Sequence, residues 1–170
     1  MIHNGVVQID IIQDIARHNN RIRQNMSNET HQDPVMECID TGDLNRLKNL
    51  KNIDFSKKKT YGTTYLDMAI MMKQEKIALF IINKGANIHG KDSGGWTALH
   101  NAVNCELLLV VKLLLSKKAD IHAKTKSGFT AFNLARYNNY DLTSVLGKHQ
   151  GFILGQKIDI LRQQVWFRTY

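Results

Sequence analysis

Gly94-Gly95-Trp96-Thr97-Ala98-Leu99-His100-Asn101-Ala102-Val103, followed by Val110-Val111-Lys112-Leu113-Leu114-Leu115 and Ala119-Asp120-Ile121-His122, is the stretch on which the reading of the chain turns. Two glycines lead to a threonine, the threonine opens an apolar helix, and a second apolar helix runs into a polar turn. Thr is a good helix N-cap because its side-chain oxygen accepts from a backbone N–H that has no partner inside the helix. The stretch is therefore one helix–turn–helix unit, and it recurs. Thr97-Ala98 returns as Thr130-Ala131, Gly95 as Gly128 and Gly62, and Ala102 as Ala135 and Ala69, while Ala119-Asp120-Ile121-His122 echoes Ala86-Asn87-Ile88-His89. All of these repetitions lie at one offset, the step from Ala69 to Ala102 being equal to that from Ala102 to Ala135. A fixed period of about 33 residues marks stacked repeats, since one such unit cannot bury its apolar face alone.

The core Thr97-x-Leu99-His100-x-Ala102 at that period resembles the ankyrin repeat family. The resemblance implies an all-α solenoid of stacked helix–turn–helix units, here about four between Asp33 and Gly151 (about 33–58, 59–91, 92–124 and 125–151), with an extra helix at each end. The third unit carries it best. In the second, Tyr65 replaces the usual proline and Asp67 the histidine. The first is shortened, because the step from Cys38 to Ala69 is smaller than that from Ala69 to Ala102, and irregular end units are expected of a capped stack. It opens at Asp33-Pro34, an N-cap followed by proline where the missing N–H costs nothing. Lys118 occupies the helix-end position that Gly85 fills in the second unit, and the left-handed backbone wanted there predicts mild strain.

Residues 1–26 read as an N-terminal capping helix, with Ile11, Ile15 and Ile22 on one stripe supported by Val7, Ile12 and Ala16. Asp10 and Asp14 lie early and Arg17, Arg21 and Arg23 late, which suits a helix dipole. The stripe predicts a cover for the open face of the first unit. Ser27 to Gln32 reads as a polar linker. At the other end, residues 152–170 read as a C-terminal helix whose Leu154, Ile158, Leu161 and Val165 close the stack or dock a partner or a second copy.

A length of 170 residues suits one domain. No apolar run reaches the ~20 residues needed to span a bilayer. The N-terminus has no basic-then-apolar signal pattern, so the expected location is cytoplasmic, or the host cytoplasm for a secreted effector. Cys38 and Cys105 lack metal spacing and read as buried, reduced thiols. The net charge of +8 favours an acidic or mixed partner surface.

His100 reads as a structural hydrogen-bonder: the resemblance implies a bond to the helix-opening Thr, and its counterparts Asp67 and Asn133 are also short and polar. His89 and His122 sit in equivalent turns too far apart for one metal ion, and bonding between units is their expected role. No nucleophile elbow, phosphate loop or HExxH is present, so no catalytic, cofactor or metal residue is assigned and a non-enzymatic protein is expected. The resemblance implies that loop fingers and inner helices line a concave groove. The fingers carry Lys59, Tyr61 and Thr63, then Lys91, Ser93 and Trp96, then Lys124, Lys126 and Phe129; the inner-helix positions are Met71 and Met72, Asn104 and Cys105, Tyr137 and Asn138. Each finger joins a lysine to an aromatic, a composition suited to an interface. The expected function is a protein-binding scaffold: an adaptor, an inhibitor or a secreted bacterial effector. The alternative is a binder of nucleic acid or another anionic surface through the lysine row, with aromatics stacking on bases.

Overall fold

The computed structural model describes residues 3–29, 33–57, 62–138 and 142–148, with side chains in the first helix placed for residues 9–24. Helix α1 (His3–Glu29) is followed by four helical units. The first pairs α2 (Pro34–Thr41) with α3 (Leu44–Asn49), the second α4 (Tyr65–Met71) with α5 (Glu75–Asn83), and the third α6 (Ala98–Asn104) with α7 (Leu108–Ser116). The fourth joins α8 (Ala131–Asn138) to helical residues 142–148. The fold is all-α. Inner helices stack in the order α2, α4, α6, α8, and α5 packs on α7 behind them.

Alanine and the aliphatics make this stacking close. Ala69, Ala102 and Ala135 are fully buried at the same register of three successive inner helices, where a small side chain lets backbones approach. Ile77, Ile81, Val110, Val111 and Leu114 fill the layer between inner and outer helices. Polar bonds then fix the register from unit to unit. Tyr65 donates its hydroxyl to Asp33 Oδ2 at 2.6 Å, and Asp33 Oδ1 accepts from Val35 N–H at 2.9 Å as the N-cap of α2. Asn101 Nδ2 donates to Asp67 Oδ1 at 2.9 Å.

The turn between the two helices of a unit needs one left-handed residue. Gly42 (φ 73°), Lys73 (φ 57°) and Glu106 (φ 64°) fill that place in the first three units. The step from Gly42 to Lys73 equals that from Cys38 to Ala69, as the shortened first unit requires. Beyond the outer helices, Lys118 has φ 62° where Gly85 has φ 85°, so the strain expected at Lys118 is present.

Two expectations change at the N-terminus. Helix α1 continues to Glu29, through half of the segment read as a linker, and its terminal turns hold none of the charges expected to complement the dipole. The expected C-terminal helix, Lys59 and Tyr61 lie outside the described residues.

Candidate functional site

The fingers are turns built around one acceptor each. Asp92 Oδ1 accepts from the backbone N–H groups of Gly94 and Trp96, both at 2.8 Å, and Asp92 N–H donates to Trp96 O at 3.0 Å. One unit later Thr125 repeats the pattern: its N–H donates to Phe129 O at 2.9 Å and its hydroxyl accepts from Phe129 N–H at 3.3 Å. Neighbouring fingers are laced together by Lys126 N–H donating to Gly94 O at 2.8 Å and Lys91 Nζ donating to Lys124 O at 3.4 Å. Gly95, at φ 80°, permits that approach; a Cβ there would meet Lys126 N at 2.8 Å.

Behind the fingers, three different side chains do one job. Asp67 Oδ2 accepts from Thr64 N–H and hydroxyl at 2.9 and 2.8 Å, and Asn133 Oδ1 accepts from Thr130 in the same way at the same distances. His100 Nδ1 takes the Thr97 N–H at 3.3 Å and meets its hydroxyl at 2.8 Å. Because Nδ1 accepts from a backbone N–H, the ring proton belongs on Nε2, which donates to Phe129 O at 3.1 Å in the next unit. Burial drives the ring pKa down to about 4, keeping it neutral. Burial also raises the Asp67 carboxyl against the opposing bonds from Thr64 and Asn101. This residue trio is structural.

Helix α1 packs against the fingers and inner helices of several units. Its residues meet the units in reverse order. Asp14 Oδ1 accepts from the Ser127 hydroxyl at 2.8 Å on the fourth unit's finger, His18 stacks on Trp96 of the third, and Arg23 shares a cavity with Asp40, Met71 and Met72. The His18 and Trp96 rings are parallel within 2° with centroids 3.9 Å apart. Asn19 Oδ1 accepts from Asn104 Nδ2 at 3.4 Å. His18 Nδ1 lies 3.2 Å from Asp92 Oδ2, an ion-pair distance without hydrogen-bond alignment, and Arg21 Nη2 lies 3.9 Å from the same oxygen. Burial by itself would raise the Asp92 carboxyl; His18 and the Trp96 and Gly94 N–H groups outweigh it and hold it below the ordinary value.

The helix is anchored by Ile11 and Ile22, both buried, with Asp14 and His18 buried on the same stripe. Ile12, expected to support that stripe, is 46% exposed. Asp14 and His18 were missed as packing residues. Their signal is positional, because residues 11, 14, 15, 18 and 22 are spaced for one helix face. The polar packing is incomplete. Asp14 Oδ2, His18 Nε2, Arg21 Nε and Nη2, and Trp96 Nε1 are buried without a hydrogen-bond partner among the described residues, and each such group costs about 1–3 kcal/mol.

The site residues named from sequence divide accordingly. Trp96 is 1% exposed and Phe129 9%, which corrects the expectation of exposed aromatics: Trp96 is covered by His18, and Phe129 belongs to the core cluster. Cys105 is buried against Met71, Sγ to Sδ 3.7 Å, and burial raises its thiol to about 11. Lys91, Ser93, Lys124 and Lys126 are exposed, and Tyr137 and Asn138 are half-buried. Met71, Met72 and Asn104 converge on a cavity of about 510 Å³ beside α1. The His89 and His122 rings are exposed, and it is their backbone N–H groups that are bonded, to Asn87 Oδ1 and Asp120 Oδ1 within their own turns at 2.9 Å. Among the described residues no group of three or more His, Cys, Asp or Glu is placed to hold a metal ion. No helix among them is long and apolar enough to cross a membrane.

Finger, capped inner helix and outer helix recur in the same order from unit to unit, and the comparisons agree with that geometry. The family described as "Ankyrin repeat" matches residues 94–126, and "Ankyrin repeats (many copies)" matches residues 66–106. Residues 66–126 are ankyrin repeats. Ankyrin repeat domain-containing protein 13C of Danio rerio is 31% identical over 90 residues, covering 51% of this chain and 18% of that protein. The proteins of the same name from Xenopus tropicalis and Homo sapiens are each 31% identical over 72 residues, covering 42% of this chain and 14% and 13% of theirs. The matched region spans less than a fifth of the length of these relatives. Ankyrin repeats generally mediate contacts between proteins and are, as a rule, scaffolds and not enzymes.

Proposed function

We propose that this protein recognises a partner protein through its concave face, with the lysines of the fingers meeting acidic side chains and the cavity at Met71, Met72 and Asn104 receiving an apolar anchor. The observation that carries this reading is that those three inner-helix residues line one cavity, while Lys91, Lys124 and Lys126 of the fingers are exposed. The cavity sets Ile22, Met71, Met72 and Cys105 among Arg23, Asp40 and Lys73, and apolar anchors ringed by polar groups are the usual anatomy of a non-obligate interface. The nucleic-acid alternative keeps its lysine row but loses two of its stacking platforms, because Trp96 and Phe129 are buried. Adaptor, inhibitor and effector all use such a face, and the same experiment serves each.

The intact chain and a Lys91→Glu/Lys124→Glu/Lys126→Glu variant are compared as baits, after melting curves establish that both are folded. A protein held by the intact chain and lost from the variant, with a shallow dependence on salt, is the expected result. Equal retention by both would refute the groove reading. A captured nucleic acid released steeply by salt would replace it with the alternative.

A further inference from the structure

Resting on that reading, we propose that the ligand class of the groove is a single amphipathic helix, and that α1 is the resident copy which a partner's helix displaces. A helix of 27 residues is about 40 Å long, and four units stacked about 10 Å apart present a groove of similar length. Helix α1 follows this groove from Ser127 back to the cavity at Asn104.

The chemistry of the fit defines the occupant. A carboxylate reaches the finger that carries Lys124 and Lys126, and one turn later an imidazole lies over the Trp96 ring and against Asp92. A guanidinium follows at residue 21, in space left by Gly94, where any Cβ would collide with it. Ile11 and Ile22 bracket these polar groups. A ligand of the groove is thus a helix with apolar ends, an acidic residue towards its N-terminus and a basic pair towards its C-terminus. It runs opposite to the order of the units. Laying an apolar stripe into a preformed groove is a general mode of helix recognition.

Displacement follows from how α1 is held. Between units His100 Nε2 and Asn101 Nδ2 are bonded and, of these side chains, Asn101 alone has an orphaned atom, Oδ1, whereas at α1 Asp92 Oδ2, Arg21 Nε and Nη2 and Trp96 Nε1 are all left without hydrogen bonds. A partner helix that aligns an arginine on Asp92 and sets an acceptor over the indole N–H supplies what α1 lacks. It replaces α1 without disturbing the stack.

The test uses the 170-residue chain carrying Asp14→Cys and Ser127→Cys, whose native side chains touch. The probe is a fluorescent synthetic peptide of residues 3–29. Oxidation should close the bond within one chain and lock α1 down. Peptide affinity should then be at least ~tenfold lower than for the same sample after reduction, since only the open fraction binds. Unchanged affinity despite a bond proven by mass spectrometry would overturn the proposal, as would failure of the two cysteines to link. A bond formed between two chains would overturn it in favour of α1 exchange between copies. A lock that gates the peptide but leaves capture of the partner unaltered would sustain the helix assignment and refute the partner reading on which it was built.

Discussion

His100 shows how one residue can be indispensable to a fold without being chemically active. Its Nδ1 caps the helix of its own unit and its Nε2–H ties that unit to the next. The Nδ1 bond, in which the ring accepts, needs a neutral imidazole, and burial lowers its pKa from 6.5 to about 4. The sign of the pH effect follows: above pH 6.5 the contribution to stability is whole. Between 6.5 and about 4 the unfolded chain takes a proton that the folded one refuses, and up to about 3 kcal/mol is lost. Asp67, raised by burial, acts in the opposite sense and offsets part of that loss. His100→Asn should retain the cap, as Asn133 does, and lose the bond to Phe129 O. Denaturant titrations at pH 7 and about pH 4.5 should find the variant less stable at neutral pH and less sensitive to acid. An acid sensitivity equal to that of the parent would place the titration elsewhere.

At the scale of the element, the helix ends are where sequence and backbone are in tension. Lys118 is exposed and holds φ 62°, a conformation that costs a side chain about 1–2 kcal/mol. Lys118→Gly, after allowance for the entropy that glycine adds to the unfolded chain, should stabilise by about 0.5–1 kcal/mol and raise the melting temperature by about 2 °C. A fall in melting temperature would show that the Lys118 side chain makes a contact worth more than the strain. The unit elements were legible from sequence for a local reason: a threonine cap, a glycine turn and an alanine face each act within a few residues. Helix α1 was legible as a helix but not as an occupant of the groove. Its amphipathic stripe said which side is buried and nothing about what it is buried against.

Taken as a whole molecule, the stack transmits damage at any interior seam, because each unit is stable only against its neighbours. Ala102 is wholly buried on α6, which packs on both α4 and α8. Ala102→Asp would force a charge without a partner into that seam and should cost about 3 kcal/mol or more, lowering the melting temperature throughout the repeats. Near-parental melting followed by circular dichroism would contradict the assigned register. The repeating unit, its all-helical content, its capping threonines and its strained helix end are readable from the residues alone, because these depend on short-range geometry that recurs. That Trp96 and Phe129 are interior, and that Asp14, His18 and Ile22 are buried, emerges from the packed molecule alone. A finger position looks exposed in any single repeat. Whether it stays so depends on contacts between residues as distant as His18 and Trp96, or Asp14 and Ser127, and no local pattern encodes those pairings.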